Sequence, residues 1–203
     1  MFVKKWINRA YPTFNKKDTV GKVLEECETY EVAVVVAHDD EGKLAGMTRA
    51  SKLMNEDPGK PIKELLEEPA YYCYAEDYIE DAILLLIESH DFVIPVVSHD
   101  MKLKGVLTVF DILEALMEFT AMDQKGSRIS LLLDDKPGVL KKVVDVLAEK
   151  EINILSIVTS PEGESKKRVI IRTDETNLKE IVEVLQSNNI SFETVTEEEG
   201  FCA

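Results

Sequence analysis

The apolar positions of this chain change period repeatedly, and each change marks an element. Val20, Val23 and Leu24 recur at helical spacing within residues 19–29. A β-branched run over 32–37 then predicts a strand, 38–43 a turn, and 44–48 a second strand. Residues 52–55 start another helix, and Asp57-Pro58-Gly59 breaks the pattern. The same plan then returns. Residues 62–66 and 71–74 lead into a helix over 79–89, where Ile79, Ala82, Ile83, Leu86 and Ile87 form an apolar face. Strands over 92–97 and 103–108 and a helix over 112–119 close the unit. Each copy reads β-α-β-β-α.

The repetition is also visible in the letters. Residues 34–54, VVVAHDDEGKLAGMTRASKLM, echo residues 93–113, VIPVVSHDMKLKGVLTVFDIL. Setting Gly46 on Gly105 aligns Lys43-Leu44 with Lys102-Leu103 and Leu53 with Ile112. His38-Asp39 matches His99-Asp100 if the first turn carries two extra residues. Two copies of one supersecondary unit pack together and share a cleft, which points to ligand binding before catalysis.

Past Met122 the pattern is different. Asp123-Gln124-Lys125-Gly126-Ser127 has linker chemistry. Beyond it, 129–133 reads as a strand, and 139–150 as a helix with Val139, Leu140, Val143, Val144 and Leu147 on one side. Strands over 152–159 and 168–173 flank a turn at Glu162-Gly163-Glu164. A helix over 176–188 and a strand over 190–195 follow, and Glu197-Glu198-Glu199 is expected to fray. The order βαββαβ is the split β-α-β layout, with two helices on one face of an antiparallel sheet. The fold class is α+β, with one domain over 1–122 and a second over 127–196.

Charge and cysteines narrow the chemistry. The 203 residues carry 24 Lys plus Arg against 39 Asp plus Glu, a formal charge of −15. Such a surface repels nucleic-acid phosphates, so nucleic acid is not an expected partner. No apolar stretch approaches the roughly 20 residues that span a bilayer, and the first eleven residues lack the apolar core of a signal peptide. Cys27, Cys73 and Cys202 are dispersed, without CxxC or Cys/His spacing, which predicts free thiols, a reducing cytoplasmic setting and no metal. His38, His90 and His99 are equally scattered. Cys73 with His90 or His99, and the pair Asp134-Asp135, are the candidates for catalysis, and none has the pattern of a known catalytic motif. No enzyme activity and no cofactor are expected.

Residues 1–120 resemble a tandem pair of CBS domains, most clearly in Ile94-Pro95-Val96-Val97 and in Gly105-Val106-Leu107-Thr108-Val109-Phe110-Asp111-Ile112. Residues 127–196 resemble an ACT domain, a ferredoxin-like sensing module, in Asp135-Lys136-Pro137-Gly138-Val139-Leu140 and Ile152-Asn153-Ile154. The order resembles the acetoin-utilisation-type regulatory proteins. The resemblance implies a regulatory ligand with an adenosine group (AMP, ADP, ATP or S-adenosylmethionine) in a cleft between the repeats.

Asp111 would accept hydrogen bonds from the ribose hydroxyls. Thr108 would reach the ribose or phosphate at the helix start. Cys73 and Tyr74 would give backbone contacts to adenine, and Ile94 and Pro95 an apolar wall. The plainer alternative is that Thr108 and Asp111 form a capping box. With Gly46 as anchor, Arg49 and Lys52 stand at the matching positions of the first copy, and a lysine cannot accept from a ribose hydroxyl. A shift by one residue would place Thr48 and Ser51 there instead, still without a carboxylate. At most one ribose site per chain is expected. In the ACT-like part the resemblance implies an amino acid held by Asp135 and Gly138, with Asn153 of a neighbouring chain. Leu133 stands where a polar residue is expected, and Pro137 in the first turn offers the plainer reading of a helix start. The resemblance also implies a homodimer and an unidentified protein target. Beside the sensor stands an adaptor reading, in which both sites are vestigial.

Overall fold

The chain runs through one architecture twice and then through a second. In the first copy β1 (Thr13–Asn15), α1 (Val20–Thr29), β2 (Val34–His38), β3 (Leu44–Arg49) and α2 (Ala50–Leu53) follow in order. In the second come β4 (Cys73–Tyr74), α3 (Ile79–Ser89), β5 (Val93–Val97), β6 (Leu103–Thr108) and α4 (Val109–Phe119). Each copy builds a three-stranded sheet. The hairpin is antiparallel, and the short leading strand lies parallel to its first arm, β1 on β2 and β4 on β5. The computed structural model describes residues 1–201, so the thiol expected at Cys202 lies outside the described residues.

Two compact units emerge, Met1–Ala115 and the chain from Leu116 onward. Within the first, Phe14, Val20, Val23, Val35, Leu53 and Ile62 form the core of the first copy. Cys73, Ile79, Ala82, Ile94, Val96, Leu107 and Ile112 form that of the second. Between the sheets lies a small valine layer, Val34, Val36, Val93 and Val106. The hairpin tips also meet, the Leu44 N–H donating to Met101 O and the Leu103 N–H to Gly42 O, both at 2.9 Å.

The two turns have equal length, against expectation. His38 pairs with Leu44 as Val97 pairs with Leu103, and both hairpins shift register at the same place. His38 therefore corresponds to Val97 and not to His99. The similarity of the two His-Asp dipeptides is a coincidence of turn composition. The helix expected to start at residue 52 starts at Ala50 and makes one turn.

In the second unit β7 (Gly126–Asp134), α5 (Val139–Glu149), β8 (Ile154–Glu162), β9 (Lys166–Thr173), α6 (Leu178–Ser187) and β10 (Thr194–Glu198) give the βαββαβ order. The sheet runs β10-β7-β9-β8, antiparallel throughout. Ile129, Leu131 and Ile171 meet Val143, Leu147, Ile181 and Leu185 from the two helices. Gly126 and Ser127 are strand and not linker. A Cβ on Gly126 would come within 1.9 Å of Thr173 O, and Ser127 Oγ lies 2.7 Å from Thr173 Oγ1. This glycine allows a close approach instead of flexibility. Glu197 and Glu198, expected to fray, pair with Ser127 and Gly126 in β10.

Candidate functional site

Thr108 ends β6, and Asp111 lies in the first turn of α4. Asp111 Oδ2 accepts the Thr108 backbone N–H at 2.7 Å and its hydroxyl at 2.6 Å, while the Asp111 N–H donates back to Thr108 Oγ1 at 3.2 Å. This is the reciprocal capping box, so the plainer alternative is realised. The other oxygen is loosely held. Asp111 Oδ1 accepts from Asn8 Nδ2 at 3.4 Å.

Gly105 explains why Asn8 is there. The Asn8 N–H donates to Val106 O at 2.8 Å and the Val106 N–H to Asn8 O at 3.1 Å, so the N-terminal segment runs along β6. At Gly105 φ is +139°, and a Cβ would stand 2.6 Å from Asn8 O. The first copy repeats the device. Gly46 has φ +153°, its Cβ would stand 2.9 Å from Glu67 O, and Met47 and Glu67 exchange backbone bonds at 2.8 and 2.9 Å. Asn8 thus corresponds to Glu67, Asp111 to Lys52, Thr108 to Arg49, and Tyr11 to Ala70.

The last correspondence makes the two clefts unequal. On the Ala70 side there is a cavity of about 380 Å³, walled by Val34, Met47, Tyr71 and Ile94 and carrying Arg49 and Lys52. On the other side Tyr11 stands where Ala70 leaves room. Its hydroxyl donates to Val34 O at 2.5 Å, and its ring packs on the valine layer. Burial pushes the phenol up to about 12. Asn8 also fixes this segment, its Oδ1 accepting from the Ala10 and Tyr11 N–H groups.

The residues expected to surround one nucleotide are divided. Thr108 and Asp111 meet. Ile94 lines the opposite, open cavity. Pro95 lies in β5 opposite Val106. Cys73 is fully buried, its thiol directed at Pro95 O at 3.9 Å. The Tyr74 N–H is already taken by Asp77 Oδ2 at 2.7 Å, and its ring lies 4.7 Å from that of His99. The expected grouping is corrected accordingly. The repeat symmetry sets the motif of one copy against strand ends of the other, so Ile94 belongs with Arg49 and Lys52. Sequence reasoning passed over Asn8 and Tyr11, although extending the Gly46–Gly105 alignment would have paired them with Glu67 and Ala70.

The catalytic candidates acquire no activating geometry. Burial pushes the Cys73 thiol up to about 12 and that of Cys27 up to about 11, which keeps both as thiols at neutral pH. Asp134 is held below the usual carboxylate range by Lys166 and Lys136, and Asp135 pairs with Lys167 at 2.8 Å. No cluster of three or more His, Cys, Asp or Glu that would hold a metal occurs among the described residues.

In the second unit Gly138 caps α5 with φ +85°, three residues after Asp135, which follows the end of β7. Asn153 precedes β8, its N–H donating to Asp174 Oδ1 at 3.1 Å. Asp134 is opposite Lys166 on β9, whereas Ile154 is opposite Thr173 at the other end of that strand. At about 3.3 Å per residue the two places lie roughly 23 Å apart. One chain does not bring Asp135 and Asn153 together.

Comparison with known proteins agrees with both halves. Residues 62–118 match the CBS domain family and residues 127–189 the ACT domain family. A CBS domain pair/ACT domain protein from Thermotoga maritima is 31% identical, with TM-score 0.55, over 58% of this chain and 98% of that one. This chain belongs to the CBS domain pair/ACT domain proteins. Its CBS repeats also share their fold with CBSX2 in complex with AMP, at 24% identity and TM-score 0.50, over 57% of this chain and 96% of that one. An inosine-5'-monophosphate dehydrogenase from Methanocaldococcus jannaschii is 27% identical over 147 residues. The match takes in 71% of this chain but 29% of that enzyme's length. The CBS and ACT domains make the chain a regulatory, ligand-binding protein. Among the described residues no helix is long and apolar enough to cross a membrane.

Proposed function

We propose that this protein is a non-catalytic sensor. Its CBS pair takes an adenosine-containing ligand (AMP, ADP, ATP or S-adenosylmethionine), and Thr108 and Asp111 hold the ribose and phosphate side. The observation that carries this reading is the state of Asp111. Its carboxylate sits half-buried at the start of α4, with Oδ1 engaged by one long contact from Asn8. A ribose hydroxyl is a better donor to that oxygen than an amide at 3.4 Å. Backbone N–H groups of the same helix start favour a phosphate. Entry requires Tyr11 to leave the valine layer, so ligand and Tyr11 compete for one space. The fold itself is compatible with the ligand class, since CBSX2 has been seen with AMP. Two buried free thiols agree with a reducing, cytoplasmic setting.

The ACT domain is the second proposed sensor. Asp135 and Gly138 of one copy and Asn153 of another would hold an amino acid. Their separation within one chain makes a homodimer part of that proposal. Binding at either domain would bias a protein target through the difference in affinity between two states.

Thermal unfolding of the whole chain against AMP, ADP, ATP and S-adenosylmethionine tests the CBS reading. A ligand at about 100 times its Kd adds about 2.7 kcal/mol, which raises the midpoint by roughly 5–10 °C. The shift should disappear in Asp111→Ala while the fold survives. An unmoved midpoint with every adenosine compound, in protein shown by mass spectrometry to carry none, contradicts it. A specific observation favours the adaptor reading in that case: Tyr11 packs on the valine layer, and Asp111 Oδ2 already closes the capping box with Thr108.

A further inference from the structure

The open cavity on the Ala70 side is a different chemical object from the cleft at Asp111. Its interior wall is apolar, made by Val34, Met47, Val93 and Ile94. Its charged lining includes two pairs of opposite charge. Arg49 Nη2 lies 2.9 Å from Asp91 Oδ1, joining the two copies, and Lys52 is paired with Glu67. Glu68 adds a further carboxylate, so two cations face three anions.

That balance selects against a polyphosphate. Several phosphate charges would take Arg49 and Lys52 and leave Asp91, Glu67 and Glu68 without partners and facing more negative charge. A neutral apolar molecule would fill the walls and make no use of the charged lining. A zwitterion suits both. Its carboxylate takes the place of Asp91 on the Arg49 fork, and its ammonium takes the place of Arg49 on Asp91. Neither Arg49 nor Asp91 loses a partner, the Lys52–Glu67 pair is untouched, and the excess of one carboxylate at Glu68 is not increased. At about 380 Å³ the cavity is within the usual range for small-molecule sites.

We propose that this cavity is a second ligand site, specific for an α-amino carboxylate headgroup on an apolar body, with Arg49 and Asp91 as the recognition pair. The shared chemistry has two sources, a free apolar amino acid and an amino acid joined to a nucleoside. The site is independent of the Asp111 cleft. The two copies have diverged into unlike receptors, one keeping the ribose carboxylate and the other replacing it with Lys52.

The test is calorimetric titration of the full chain with L-methionine, L-leucine, S-adenosylmethionine and ATP. Methionine methyl ester serves as the control that lacks a carboxylate. Saturable binding of at least one of the first three is expected, weakened tenfold or more by Arg49→Gln and by Asp91→Asn and kept in Asp111→Asn. Methionine or leucine binding alone identifies a free amino acid as the source, and S-adenosylmethionine alone the nucleoside-linked form. The ester should bind at least tenfold more weakly than methionine if methionine binds. The proposal is overturned if no amino-carboxylate compound binds, if binding is unchanged in both Arg49→Gln and Asp91→Asn, or if it is lost in Asp111→Asn. Arg49 is exposed and Asp91 half-buried, with neither in the core, so circular dichroism should show the variants folded. The wild-type titration decides the question even if one is not.

Discussion

Replacing Tyr11 by alanine should weaken the free protein and strengthen its hold on an adenosine ligand. Tyr11 covers the valine layer and donates to Val34 O. Truncating a fully buried aromatic costs about 3–5 kcal/mol. Tyr11 is half-buried, so its packing contributes about 2 kcal/mol on that scale, and its hydrogen bond about 1 kcal/mol. Loss of about 3 kcal/mol lowers the unfolding midpoint by roughly 6–12 °C.

The same contacts must break before a ligand reaches Asp111 in the wild type. Removing them in advance should raise affinity by up to about 100-fold, since each 1.4 kcal/mol is a factor of ten. Tyr11→Phe isolates the hydrogen bond and should give about fivefold. Thermal scans and titrations with AMP on the three proteins read both quantities. A lowered midpoint with unchanged affinity would refute the reasoning, because it would mean that ligand and Tyr11 occupy different space.

Two further outcomes follow from the same geometry. Gly105→Ala forces a Cβ to 2.6 Å from Asn8 O at φ +139°, and should cost about 3 kcal/mol or more in urea unfolding. Gly42→Ala, also at positive φ but with nothing within 4 Å, should cost about 1–2 kcal/mol, and equal losses would contradict the close-approach account. Stability should also fall on the alkaline side. Burial holds Cys27 at about 11 and Cys73 and Tyr11 at about 12. The unfolded chain releases these protons from about pH 9–10, while the folded chain retains them. Stability is therefore full below about pH 9 and lost progressively toward pH 12. Urea midpoints measured from pH 7 to 11 should decline, less steeply in Cys73→Ala, and a flat profile would contradict the burial argument.

Much of this was legible in the letters because it rests on period and repetition. The helices at residues 79–89 and 139–149 carry apolar faces long enough to register, and the glycine anchor of the repeat identified both hairpins. Thr108 and Asp111 were legible as a pair because their spacing is local. What escaped depends on contacts distant in sequence. β1 and β4, with three and two residues, are too short to show a period. Gly126 reads as a linker residue until Thr173 is placed against it. Ile94 was assigned to the wrong cleft because pairing between copies crosses the repeat, and nothing in a single copy reveals that crossing. Asn8 and Tyr11 lie in a segment without alternation, held by backbone pairing to β6 and by side chains reaching across the sheet.

The central claim is that Asp111 reads a ribose. The most direct measurement is a pair of calorimetric titrations, AMP and its 2',3'-dideoxy analogue, on the wild type and on Asp111→Asn. Charge-assisted hydrogen bonds contribute about 1.5–3 kcal/mol each, so the wild type should prefer AMP by at least about tenfold. The variant should bind AMP no better than the analogue. Equal binding of both compounds by the wild type, or a preference that survives Asp111→Asn, would contradict the account.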